Sequence, residues 1–179
     1  AGETTKILAE RYHVPSMVMA DGPGGIRVRQ RYEALDLASG NMVERTRYCT
    51  AWPSGTLLAQ SFDPEVLKEV GKATAVELDE TGVHLLLAPG MNIHRDPLCG
   101  RNFEYYSEDP VLAGKLGGAF IRGTQSEGTA ANLKHFAVNS QEFERMTTNA
   151  VVSKRALREI YLKPFEIAIR EGKPWTVMT

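Results

Sequence analysis

The chain has 179 residues, about 1.2 times a typical domain length of about 150, so one domain is the default expectation. An apolar fraction of 42% and a charged fraction of 24% exclude disordered, collagen-like and fibrous proteins. Twenty-one Lys and Arg against 22 Asp and Glu leave a net charge of −1, which argues against nucleic acid as a partner, since that binding needs a surplus of cations on one face.

In chain order, the opening AGETTKILAERYH has neither the charge order nor the apolar stretch of a signal peptide, which favours a cytoplasmic location. Val14 to Ala20 reads as a buried strand closed by the breaker group Asp21-Gly22-Pro23-Gly24-Gly25. About 30 residues rich in Gly, Arg and Tyr follow, with the composition of an irregular segment. Asp63-Pro64 then opens a helix, with Asp as N-cap, Pro at the first helical position, Glu65 in the first turn and Gly82 at the stop. Val83 to Ala88 is a second strand ended by Pro89-Gly90. The opener recurs at Asp109-Pro110, starting a helix that should run through about Arg122 and end at Gly123. Ala130 to Phe136 is a third strand. Ser153 caps a helix from Lys154 to Arg170 that Pro164 should kink or break, and Trp175 to Met178 begins a fourth strand.

Strand and helix alternate three times, which implies a parallel sheet with right-handed crossovers. An α/β doubly wound sheet and a (β/α)8 TIM-like barrel both fit. A barrel needs about 250 residues, so four strands are about its first half. The chain starts at Ala1 rather than Met and stops inside the apolar WTVMT, as a piece of a longer protein would. No apolar run approaches the roughly 20 residues that cross a bilayer, so no membrane partner is expected. Cys49 and Cys99 are too few for a disulfide framework and leave the redox compartment open.

Parallel α/β folds bind ligands at the carboxyl ends of their strands. Asp21 follows the first strand; His94, Arg95, Asp96, Arg101, Asn102 and Glu104 follow the second; Lys134 and His135 close the third, with Asn139, Glu142 and Arg145 beyond. Lys134 inside ANLKHFAV is costly to bury alone. The bland alternative is a snorkelling lysine beside a satisfied core histidine, just as Asp21 in DGP can be a turn former and Arg101–Glu104 a surface ion pair. Phe103, Tyr105 and Tyr106 tilt the choice toward a cleft wall. Donors and acceptors converging on one rim suit a neutral polyhydroxyl ligand, whereas a phosphate would be repelled by Asp21.

Other motifs fail on spacing. HRDPLCGRN places five residues between Asp and Asn where the kinase loop has four. GPGG is not a dinucleotide fingerprint, Ser54 in PSGT is not a nucleophile elbow, and the histidines at 13, 84, 94 and 135 show no metal spacing.

ADGPGGIR, AWPSGTLLAQSFDPE, LAPGMNIHRDPLCGRNFEYYSEDP, NLKHFAVNSQEFER and SKRALREIYLKPFEIAI resemble glycoside hydrolase family 3 of the β-glucosidase type, from about Val14 to Thr179. The resemblance implies the N-terminal (β/α)8-like domain of a retaining exo-β-glucosidase acting on terminal β-D-glucosyl residues of a small β-glucoside or oligosaccharide. It implies no metal and no organic cofactor. Asp21 would accept from hydroxyls of the terminal glycosyl unit, while Arg101, Lys134 and His135 would donate to them. Arg145 matches a family arginine beside the nucleophile, and Asn102 and Glu104 would orient Arg101. The nucleophilic aspartate and the acid/base glutamate have no counterpart in these residues. They are expected in the remainder of the barrel and in a second α/β domain, in the same or a companion chain, so the isolated chain should be inactive. KHFAVNSQE departs from the KHFPGHG-like loop of the family's N-acetylglucosaminidases. A β-xylosidase-type relative, a non-catalytic sugar-binding half-barrel and one chain of a split enzyme remain as alternatives.

Overall fold

A computed structural model describes residues 3–5, 13 and 15–179. One five-stranded sheet runs through it in the order β1 (Glu3–Thr5), β2 (Met17–Asp21), β5 (Leu85–Leu87), β6 (Ala130–Leu133) and β7 (Thr176–Val177). The first pair is antiparallel and the other three are parallel. The parallel strands lie side by side in the order in which the chain makes them. A doubly wound sheet would reverse direction at a switch point, so this succession is the arc of a (β/α)8-type barrel. Residues on β6 are buried throughout, as expected of a parallel strand covered on both faces.

Each strand is shorter than the apolar pattern suggests, and Val14 lies outside the described residues. β6 stops at Leu133 because the chain turns there, leaving Lys134 in an isolated bridge to Gly90. Residues within the supposedly irregular segment form a hairpin of β3 (Arg31–Leu35) and β4 (Met42–Thr46), in register from Arg31–Thr46 to Leu35–Met42. Its turn is closed by the Asp36 side chain, which accepts from the Ser39 N–H and hydroxyl at 3.2 and 2.6 Å.

The helices bear out the capping logic. Helix α1 (Gly55–Ala59) is a single turn capped by Ser54. Helix α2 (Pro64–Glu80) begins where Asp63 accepts from the Glu65 N–H at 2.9 Å, a cap worth about 1 kcal/mol. It buries Leu67, Gly71, Thr74, Ala75 and Leu78, one face at helical spacing. Helix α3 (Pro110–Ser126) starts the same way at Asp109 but does not stop at Gly123. A Cβ at Gly123 would lie 2.0 Å from the Lys68 carbonyl oxygen, so this glycine lets α3 cross close to α2. The last helix is broken rather than bent. A short α4 (Lys154–Ala156) passes into a π turn over Leu157–Tyr161, and Pro164 falls in the first turn of α5 (Lys163–Gly172). α3 packs between α2 and α5, and with the sheet they enclose Leu67, Leu78, Leu86, Leu116, Ile121, Leu133 and Phe165. None of the helices among the described residues is long and apolar enough to cross a membrane.

Candidate functional site

Two chain segments meet beyond the carboxyl ends of β2, β5 and β6. One is the end of β6, Lys134-His135, joined by a cis peptide bond. The other is a 3-10 turn over Asn102–Glu104 that follows β5. Thr56 and His94 brace this turn: the Thr56 hydroxyl donates to the Asn102 carbonyl at 2.8 Å, and His94 Nε2 lies 2.9 Å from the same oxygen. Gly90 permits the approach of the two segments, because a Cβ there would come within 2.8 Å of the Tyr105 ring.

Lys134 is 1% exposed, so it does not snorkel. Its Nζ lies 2.8 Å from Asp21 Oδ1 and 3.3 Å from Glu104 Oε2. Glu104, 4% exposed, also holds Arg101 through Nε, so Arg101–Glu104 is not a surface pair. Contacts to one buried and one partly buried carboxylate offset the several kcal/mol that desolvating the ammonium costs. Asp21 is further held by the Gly22 N–H at 3.0 Å and by Arg27 at 3.4 Å. Burial pushes its pKa upward, but Lys134, the Gly22 N–H and Arg27 together outweigh that and set it below the usual carboxylate value. Arg101 continues outward to Glu142 at 3.9 Å, and Glu142 to Arg145 at 3.4 Å.

His135 is held differently. Its Nδ1 lies 3.0 Å from the Tyr105 hydroxyl and 3.2 Å from Asn92 Oδ1. The Tyr105 and His135 rings meet edge-on with centroids 6.0 Å apart. Burial, then the positive charges of Arg101 and Lys134, push the His135 pKa down to about 3. Burial also raises that of Tyr105, so both rings are neutral across ordinary pH.

The structure thus brings together Asp21, Arg101, Lys134, His135 and Glu104, with Arg145 at the margin through Glu142. Arg145 also lines a separate hollow of about 270 Å³ with Arg95, Asn139 and Tyr161. Asn102 corrects an expectation: its amide donates to the Asp96 carbonyl at 2.8 Å, so it fixes its own loop and makes no bond to Arg101. Tyr105 and Tyr106 are buried, leaving only Phe103 of the three aromatics exposed, so they form no stacking wall. Asn92 and the Tyr105 hydroxyl escaped the sequence reading. A buried Asn between Met91 and Ile93 was the available signal, since such a group needs partners. Among the described residues no group of three or more His, Cys, Asp or Glu could hold a metal ion.

The chain is 48% identical over 169 residues to a thermostable β-glucosidase B of Acetivibrio thermocellus, covering 94% of this chain and 22% of that protein. It is 46% identical to β-glucosidase B of Emericella nidulans over 166 residues, 93% of this chain and 18% of that one. In three dimensions it resembles β-glucosidase 3B from Thermotoga neapolitana, solved in complex with α-D-glucose. The TM-score is 0.89 at 50% identity, over 99% of this chain and 24% of that one. The chain therefore spans about a fifth of the length of the curated relatives it matches. Residues 3–179 match the model of the glycosyl hydrolase family 3 N-terminal domain, and the chain belongs to that family.

Proposed function

We propose that this chain supplies the glycosyl-binding subsite of a retaining exo-β-glucosidase that releases terminal β-D-glucosyl residues. One observation carries the reading: a carboxylate, an ammonium, a guanidinium and an imidazole converge at adjacent strand ends, tied through Glu104 and Tyr105. Asp21 binds hydroxyl hydrogens, Lys134 and Arg101 donate to hydroxyl oxygens, His135 contacts the same sugar, and Arg145 borders the outer edge. Asp21 and Glu104 are each bound to a cation, which suits them to holding substrate or neighbours rather than attacking carbon. Retention requires two carboxylates about 5–5.5 Å apart, one a nucleophile and one an acid/base. We place both in the rest of the barrel and a second α/β domain, with no catalytic group in these residues.

The test is steady-state hydrolysis of an aryl β-glucoside by the complete protein and by its Asp21→Asn, Lys134→Ala and His135→Ala variants. Losing the charge-assisted hydrogen bonds of Asp21 or Lys134 should lower kcat/KM by about 10- to 150-fold, and losing the neutral one of His135 by about 2- to 10-fold. Near-unchanged kinetics in all three folded variants would overturn the subsite. A second reading, a pentopyranoside as substrate, draws on a 42% identical relative named exo-α-(1→6)-L-arabinopyranosidase in Bifidobacterium longum. Relative rates on aryl glucoside, aryl xyloside and aryl arabinopyranoside decide between them.

A further inference from the structure

The partners of His135 on the side of Nδ1 have polarities that main-chain chemistry fixes. Asn92 faces the His135 backbone with both ends of its amide. Its Oδ1 lies 2.9 Å from the His135 N–H, and its Nδ2 lies 3.0 Å from the His135 carbonyl. A backbone N–H only donates and a carbonyl only accepts, so the Asn92 amide has a single orientation. Its oxygen is therefore the atom that faces His135 Nδ1 at 3.2 Å. An amide oxygen only accepts.

The Tyr105 hydroxyl fits the same tautomer. Its hydroxyl lies 3.2 Å from the Asn139 backbone carbonyl, which only accepts, and with Nδ1 already holding a hydrogen toward Asn92 Oδ1 the hydroxyl hydrogen turns to that carbonyl. The Asn139 side-chain amide donates to the same hydroxyl oxygen at 3.3 Å. Toward His135 Nδ1, at 3.0 Å, the hydroxyl can then offer only a lone pair. Asn92 Oδ1 demands a hydrogen on Nδ1, and the Tyr105 hydroxyl can accept it as well. A neutral imidazole has one such hydrogen, so Nε2 must carry a lone pair. Nε2 takes no hydrogen bond among the described residues, and the charges around the ring are Arg101, Lys134, Asp21 and Arg145.

We infer that Tyr105 and Asn92 are positioning residues that hold His135 as the Nδ1–H tautomer, so that Nε2 accepts a hydrogen bond from one sugar hydroxyl instead of donating one. The inference rests on the glycosyl-subsite reading. It reverses the polarity that the family resemblance suggested for this residue. The low pKa is in keeping with it, because an imidazolium would have no acceptor to offer. The site then presents two acceptors, Asp21 and His135, against two cationic donors, Arg101 and Lys134. A pyranose hydroxyl beside His135 must therefore use its hydrogen. Specificity at that position follows from the hydrogen and not from the oxygen.

The test has two arms on the complete protein. In the first, long-range proton–nitrogen NMR of 15N-histidine-labelled protein at neutral pH, assigned with His135→Ala, should show a protonated Nδ1 and an unprotonated Nε2. Tyr105→Phe, which leaves Asn92 Oδ1 facing Nδ1 without the hydroxyl, should raise the share of the Nε2–H form. An Nε2–H form or an imidazolium in the unmodified protein overturns the acceptor role and leaves the subsite standing. A spectrum unmoved by Tyr105→Phe removes Tyr105 from it. In the second arm, dissociation constants are measured for glucose and for its monodeoxy and monodeoxyfluoro analogues, with and without His135→Ala. Fluorine can accept but cannot donate. At the hydroxyl coupled to His135, both analogues should lose affinity equally, about 2- to 10-fold. Retained affinity of the fluoro analogue alone overturns the proposal. Absence of any coupled hydroxyl overturns it together with the glycosyl subsite.

Discussion

The turn after β5 and the end of β6 touch through two consecutive residue pairs, and the pairs obey different physics. Glu104 meets Lys134 as ion to ion, 3.3 Å apart and both buried. One residue further along each segment, Tyr105 meets His135 as two neutral groups, hydroxyl oxygen to Nδ1, at 3.0 Å. The ionic pair is a matter of charge count: Lys134 lies between two carboxylates, and Glu104 between two cations. The neutral pair is a matter of direction, with every hydrogen assigned by a partner of fixed polarity. The first pair sets how much charge the site holds, and the second sets which way a ring faces its ligand.

Removing one member of the ionic pair should therefore be the most damaging change. In Lys134→Met, Glu104 keeps Arg101 as its cation and Asp21 keeps Arg27 and the Gly22 N–H, and a buried charge left short of partners costs about 3–5 kcal/mol. Denaturant unfolding of the complete protein should show a loss of that size. Lys134→Met combined with Glu104→Leu replaces the buried ions by apolar groups and should recover much of it. A double variant no more stable than the single one would mean that packing around Lys134, rather than charge balance, holds the strand end.

The two pairs were not equally legible in the sequence. A lysine inside ANLKHFAV and an aspartate at a strand end are visible as polar residues in apolar runs, and parallel topology says that such ends meet. The Asp-Pro openers of α2 and α3 were visible because capping is local. Glu104 was placed correctly beside Arg101, three residues away, but its second partner lies 30 residues downstream and no local pattern joins them. Tyr105 and Tyr106 were misplaced because clustered aromatics look alike on a cleft wall and in a core; only the tertiary fold decides. Gly123 misled for a related reason. Its missing side chain serves a neighbouring helix, which a single-helix stop rule cannot register.

The neutral pair responds to pH. The folded pKa of His135, about 3, lies below its ordinary 6.5. Above 6.5 the ring is neutral whether the chain is folded or not. Below it the unfolded chain takes up a proton that the folded chain refuses, so stability falls as pH drops from about 6.5 toward 3. A whole proton gives a slope of about 1.4 kcal/mol per pH unit, an upper bound here because the ring is partly exposed to solvent. Asp21 adds a further loss that sets in as pH falls through its ordinary value of 3.8, since its folded pKa is depressed. Tm measured across this window should fall more steeply for the unmodified protein than for His135→Gln. Parallel curves would mean that the imidazole titrates as freely in the fold as outside it.

Arg145 stands where both kinds of contact run out, and it should show the smallest effect on stability. Its side chain is 48% exposed and meets Glu142 at 3.4 Å. An exposed pair of this sort contributes less than about 0.5 kcal/mol, so Arg145→Ala should leave unfolding unchanged within that margin. Glu142, however, is shared with Arg101 at 3.9 Å. Losing Arg145 leaves Arg101 as the remaining cation beside that carboxylate and draws the guanidinium outward, away from Glu104. The expected result is a fall in kcat/KM of about 10-fold or less with an unaltered Tm. Arg101 is thus the residue on which the outer, solvent-screened pair can act on the inner, buried one. If kcat/KM stays at its original value, the ionic chain ends functionally at Glu104, and the subsite is confined to residues held by the two buried pairs.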